Sequence, residues 1–218
     1  MKPARLLLAV FVCPLLVLSA CAPGNQLRVP GDLARPPVSG PPPAGPPQAA
    51  VADFAYTPMA EGPEVIGRDY DRARQIVWKG HPGKTVADLV AGALSERGVP
   101  TVRRKAGDPA SDNVPYQVSG AVRRFEVNVH RHGVLKINAE AVVTLSITVS
   151  GTGVPAPWET SVTSTTQMQD LFPIPEELQR ALESAANTAA DEAVRRLRES
   201  GAAGAFSGGG AGGDGTSR

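Results

Sequence analysis

Between residues 137 and 149, apolar and polar positions alternate. Ile137, Ala139, Ala141, Val143, Leu145, Ile147 and Val149 form one set, and Asn138, Glu140, Thr144, Ser146 and Thr148 lie between them. A period of two puts each set on its own face of a strand. One buried and one wet face is the signature of an antiparallel sheet. Upstream, Tyr116, Val118, Gly120 and Val122 are even-numbered, whereas Phe125, Val127 and Val129 are odd-numbered. A period-2 pattern changes phase only if a residue is added, so a β-bulge is expected near Arg123-Arg124. His130 to Gly133 then turns the chain into the alternating strand. Trp158 to Met168 reads as a third long strand, rich in threonine and serine.

Two stretches switch to helical spacing. Val86, Leu89, Val90, Ala93 and Leu94 form a stripe over about 86–97, with Thr85 as the expected N-cap and Gly98 as the stop. Leu178, Ala181, Leu182, Ala185, Ala189, Ala193 and Leu197 form a longer stripe. Pro175, Glu176 and Glu177 suit its first turn and the positive end of its dipole. Val51–Thr57, Gln75–Lys79 and Val99–Arg103 read as shorter strands, and residues 58–74 as irregular. Two amphipathic helices cover one face of one sheet. The expected fold is therefore α+β: a two-layer sandwich with a mostly antiparallel, four- to five-stranded sheet and both helices on one face.

The N-terminal 50 residues follow neither period. Lys2 and Arg5 precede an apolar run, Leu6 to Leu18, too short to span a bilayer, and Leu18-Ser19-Ala20-Cys21 closes it. This order resembles a bacterial lipobox, which implies cleavage between Ala20 and Cys21 and acylation of Cys21. Two or more acyl chains give a stable membrane anchor. Ala22, rather than Asp, follows the cysteine and leans the location toward the outer membrane. Nine prolines fall between residues 22 and 50, a density that favours extended or unstructured chain. The expected organisation is a signal peptide (1–20), a lipidated cysteine with a Pro-rich linker (21–50), an α+β periplasmic domain (51–199) and a disordered Gly-rich tail (200–218).

Composition narrows the classes of function. Formal net charge is +1. Cleavage before Cys21 removes Lys2 and Arg5, leaving 20 basic against 21 acidic residues. A near-neutral chain has no electrostatic reason to bind nucleic acid or anionic lipid headgroups. Cys13 leaves with the signal, so no intramolecular disulfide is expected. His130 and His132 share one strand face, but only Glu126 and Glu140 stand near enough in sequence to add a ligand, and an exposed hairpin tip is the better reading. Gly151 to Ala156 matches G-x-G-x-x-A, yet prolines and a strand follow where the phosphate-binding mechanism needs a helix. No enzyme, metal or cofactor is expected. Arg103, Arg104 and Lys105, with Arg123 and Arg124, form two basic clusters. They suit either an anionic partner or a solvated sheet edge.

The lipobox, the segment ADLVAGALSERGVPTV, the strand VSGAVRRFEV, the long alternating strand and the terminal ELQRALESAANTAADEAVRRL helix together resemble the YajG-like and ABC-transport-auxiliary envelope lipoproteins over about residues 51–199. The resemblance implies a non-catalytic periplasmic module, held by lipidated Cys21 and auxiliary to an envelope transport system, with an envelope protein or a lipid as partner. A second resemblance, to outer-membrane lipoprotein activators of cell-wall synthases, rests on the Pro-rich stretch as a tether.

Overall fold

The computed structural model describes residues 25–35, 43–105, 107–108, 113–132, 136–152, 154, 156–170 and 174–200. Cys21, the signal segment and the Gly-rich tail lie outside them. The order is β1 (Gln26–Arg28), β2 (Ala49–Ala52), β3 (Ala55–Tyr56), β4 (Val65–Asp69), β5 (Arg74–Val77), α1 (Pro82–Glu96), β6 (Thr101–Arg104), β7 (Tyr116–His132), β8 (Lys136–Gly151), β9 (Trp158–Asp170) and α2 (Pro175–Glu199).

The architecture is α+β, but the sheet is an open, mixed one of nine strands rather than four or five. Its axis is β7, 17 residues long. Along one edge β7 pairs antiparallel with β8, which pairs antiparallel with β9. This is the three-stranded meander that the alternation predicts. The register of β7 on β8 shifts between Val122 and Arg124, where the phase change requires the bulge. The other edge of β7 is long enough for three short strands in succession. β2 pairs at Tyr116–Val118, β3 at Ala121–Val122 and β4 at Val129, all parallel. β6 flanks β2 in parallel, and β5 and β1 extend the sheet beyond β4. These parallel strands are what the local pattern does not announce.

Both helices bury their stripes in one continuous core. Val86, Val90 and Leu94 of α1 and Leu178, Leu182, Ala186, Ala190 and Val194 of α2 join Phe125, Val127, Val143, Leu145 and Ile147 of the sheet there. The alanine-rich stripe of α2 lets the helix lie close to the sheet. Odd-numbered residues of β9, from Glu159 to Gln169, are exposed on the opposite face. Helix α1 starts earlier than the pattern predicts: His81 is the N-cap, and Pro82 opens the first turn. Thr85 lies inside the helix, its N–H donating to His81 O at 2.9 Å. Proline at the first turn costs no hydrogen bond, because that N–H has no helical acceptor. At the far end Gly98 adopts φ +81, the left-handed stop.

The segment expected as a Pro-rich linker enters the fold at both ends. Leu27, Val29 and Leu33 are core residues, β1 pairs with β5, and Ala49 and Ala50 of β2 are fully buried. Val29 N–H donates to Val77 O at 2.9 Å, and Trp78 Nε1 donates to Gly31 O at 2.8 Å. Arg35 then clasps both helices, pairing with Glu96 of α1 and with Asp191 of α2 at 2.7 Å. Residues 58–74, expected as irregular, contain β4. Its Gly67 is required by proximity, since a Cβ there would lie 1.8 Å from Val127 O.

Candidate functional site

A cleft opens where α1 begins. Asp53, Phe54, Tyr56, His81, Pro82, Gly83 and Lys84 line an open concavity of about 360 Å3. It exists because the helix start is pressed onto the end of β2. Phe54 N–H donates to Gly83 O at 3.2 Å, and a Cβ on Gly83 would come within 2.1 Å of Phe54 O. Only glycine permits that approach. Burial, then the nearby charge of Glu126, pushes the Tyr56 phenol up from its ordinary value. The phenol is therefore neutral at physiological pH, a hydrogen-bonding group rather than a base. Asp53 accepts from Arg103 Nη2 at 2.5 Å, and exposed Lys84 stands 3.5 Å from Asp88. The cleft thus holds a carboxylate already paired with Arg103, together with the His81 ring and the Lys84 ammonium. It presents an apolar floor with a few polar groups.

The basic residues do not converge. Arg103 is committed to Asp53, to Asp88 at 2.6 Å and to the carbonyl of Val51. Arg104, one residue on, points to the other side and donates to Gln117 at 3.4 Å. Lys105 is exposed beyond the strand end. Arg123 is exposed at the bulge, and Arg124 pairs with Glu126 at 2.8 Å, which raises the arginine pKa. Strand β2 stands between the strands that carry the two clusters. They do not form a joint patch. Arg103 instead braces the edge strand β6 against α1.

His130 is exposed on the outer face of β7, its ring stacked on Tyr70 with centroids 4.6 Å apart. The side chain of His132 lies outside the described residues. Among the described residues no three His, Cys, Asp or Glu side chains gather as metal ligands, and no helix is long and apolar enough to cross a membrane. Two buried or half-buried charge clusters among the described residues escape sequence reading. Asp69, 1 % exposed, holds Arg74 at 2.7 Å across the β4–β5 turn, and Arg35 holds the helices. A D-x-x-x-x-R spacing around a short turn was the only local signal for the first. The partners of Arg35 lie 61 and 156 residues away and left none.

No protein-family model matches the chain, and no curated protein matches it in sequence. Solved structures do. Protein XCC0632 from Xanthomonas campestris, of the family DUF330, is 16% identical, covers 84% of this chain and 99% of its own, and superposes with a TM-score of 0.51. A minor lipoprotein from Acinetobacter baumannii is 12% identical, covering 53% of this chain and 84% of its own, with a TM-score of 0.38. Lipoprotein GNA1162 from Neisseria meningitidis is also 12% identical, covering 71% and 99%, with a TM-score of 0.33. The structural neighbours are thus bacterial proteins that include lipoproteins, and what this chain shares with the Xanthomonas protein is its fold.

Proposed function

We propose that the protein is an envelope lipoprotein held through acylated Cys21, a non-catalytic interaction or lipid-handling module of the YajG-like, transport-auxiliary kind, facing the periplasm from the outer membrane.

 The observation that carries this reading is the lipobox itself, with order, spacing and position agreeing around Cys21. Support comes from the head that follows it: an open, glycine-docked cleft with an apolar floor and a few polar groups, a form that suits a binding module. The alternative, a tethered activator or structural lipoprotein of the cell-wall machinery, needs reach. Residues 25–35 are packed on the helices and the sheet, so most of that reach is missing.

Replacing Cys21 with serine tests the anchor. The wild-type chain is expected in the membrane fraction with acyl chains on its N-terminal peptide. C21S is expected to leave that fraction with an unchanged melting temperature, because no described contact depends on the thiol. A variant that is cleaved yet stays membrane-bound would remove the reading. For the auxiliary role, affinity purification from detergent-solubilised membranes should recover a permease–ATPase complex or a bound lipid. Recovery of neither counts against it.

A further inference from the structure

The order of the strands decides which end of the domain the anchor reaches. Gln26, the first residue of β1, lies five residues along the chain from Cys21. An extended chain advances about 3.6 Å per residue, so the start of β1 lies within about 18 Å of the acylated cysteine. Gln26 is in register with Gln75, at the β4–β5 turn formed by residues 70–73. β4 meets the far end of β7, since Asp69 pairs with Val129 and Tyr70 N–H donates to Val129 O at 3.0 Å. The β7–β8 hairpin therefore closes at this same end. So does β9, whose Asp170 pairs with Ile137 just before α2 begins. The opposite end holds the start of β7, the end of β8 and the C-terminus of α2.

Two large apolar side chains are exposed among the described residues, Tyr70 at 58% and Ile174 at 44%. Single exposed apolar residues are ordinary. Here both fall at the end where the anchor enters: Tyr70 opens the β4–β5 turn, and Ile174 is the N-cap of α2, four residues beyond Asp170. Tyr70 is held by its stacking on His130. The neighbouring cation Arg131 is paired with Asp71 at 2.8 Å, while Arg72 in the turn and Glu176 beside Ile174 are exposed charges that stay at the wet side of such a surface. A tyrosine with its ring in apolar surroundings and its hydroxyl wet suits the headgroup level of a bilayer.

We infer that the β4–β5 turn and the start of α2 rest on the phospholipid surface that holds the acyl chains, with Tyr70 and Ile174 at headgroup depth and the C-terminal end of α2 directed away. The inference rests on the acylation of Cys21 proposed above. The α1 cleft, whose Phe54 and Tyr56 flank mid-length residues of β7, then faces sideways and stays open to the periplasm.

Single cysteines test the orientation. The acylated chain has no other free thiol, because Cys13 leaves with the signal and Cys21 is a thioether. Y70C, I174C and E199C, each carrying an environment-sensitive fluorophore, are reconstituted into phosphatidylethanolamine–phosphatidylglycerol vesicles with and without a headgroup nitroxide lipid. The expected result is loss of fluorescence to the nitroxide at 70 and 174 and none at 199. Absence of quenching at 70 and 174, or equal quenching at all three, overturns the orientation. A blue-shifted but unquenched label at 70 does so too, showing that protein covers the turn. Mass analysis of the N-terminal peptide separates the two layers. Unmodified Cys21 overturns the anchor and the orientation together. Acylated Cys21 with unquenched labels overturns the orientation alone.

Discussion

Arg35→Ala measures how firmly residues 25–35 belong to the domain. The guanidinium makes a two-point pair with Glu96, donates to Asp191 at 2.7 Å and reaches Asn187 at 3.4 Å. Its side chain is 14% exposed, against 23% for Glu96 and 41% for Asp191. Exposed ion pairs contribute about 0–1 kcal/mol. Breaking a buried pair from one side costs about 3–5 kcal/mol, because a charge is left unpaired. The present site lies between these limits: both carboxylates reach water, and Asp191 keeps Arg97 at 3.0 Å. The expected loss is about 2 kcal/mol. With a urea slope of about 2 kcal/mol per molar, the unfolding midpoint should fall by about 1 M at an unchanged slope. The assay is urea unfolding of the signal-free chain, followed by tryptophan fluorescence, since buried Trp78 donates to Gly31 O in the clasped segment. Trypsin supplies a second reading: cleavage after Arg28 should be slow in the wild type and fast in R35A. R35K should recover only part of the loss, because an ammonium cannot reproduce the two-point fork. A midpoint change worth less than about 0.5 kcal/mol, the scale of an ordinary surface substitution, would refute the reasoning. It would show that Leu27, Val29 and Leu33 hold the segment without the clasp.

The same cluster sets an acid dependence. Partial burial pushes the Asp191 carboxyl up, but hydrogen bonds from Arg35 and Arg97 outweigh it and hold the pKa below the ordinary carboxylate value. A lowered folded pKa means that the unfolded chain binds the proton first. The stabilisation is therefore complete above the unfolded value, about pH 4, and is lost as pH falls through the folded one. Wild-type stability should fall more steeply below about pH 4 than that of R35A; parallel acid-unfolding curves would contradict this. Gly67→Ala should cost about 3 kcal/mol or more, because the added Cβ meets backbone, Val127 O, rather than a side chain that can turn away. An unchanged melting temperature would mean that β4 shifts from β7 freely.

The meander and both helices are legible in the chain because their information is local. Alternation along β8 states which side chains turn inward, and the phase change in β7 locates the bulge between Val122 and Arg124 to within a residue. The stripe of α2 names its buried face in the same way. These features need only the period of the backbone and the preference of apolar groups for the interior.

Strand order and the fate of the Pro-rich segment were decided by tertiary structure. β1 and β4 are three and five residues long, too short to show a period, and they are strands because β5 and β7 offer unpaired backbone beside them. Proline density argues against regular structure, but it says nothing of Leu27, Val29 and Leu33 between the prolines, which the core accepts. Arg103 and Arg104 are adjacent in sequence, yet the pleat sends one toward α1 and the other toward Gln117. A charge cluster read along the chain is thereby divided between faces. What the sequence determined alone is the local period and the cysteine at the end of the apolar run. Which segments share a sheet, which charges meet, and at which end of the sheet β1 starts follow from contacts between residues far apart in the chain, and only the folded chain brings those together.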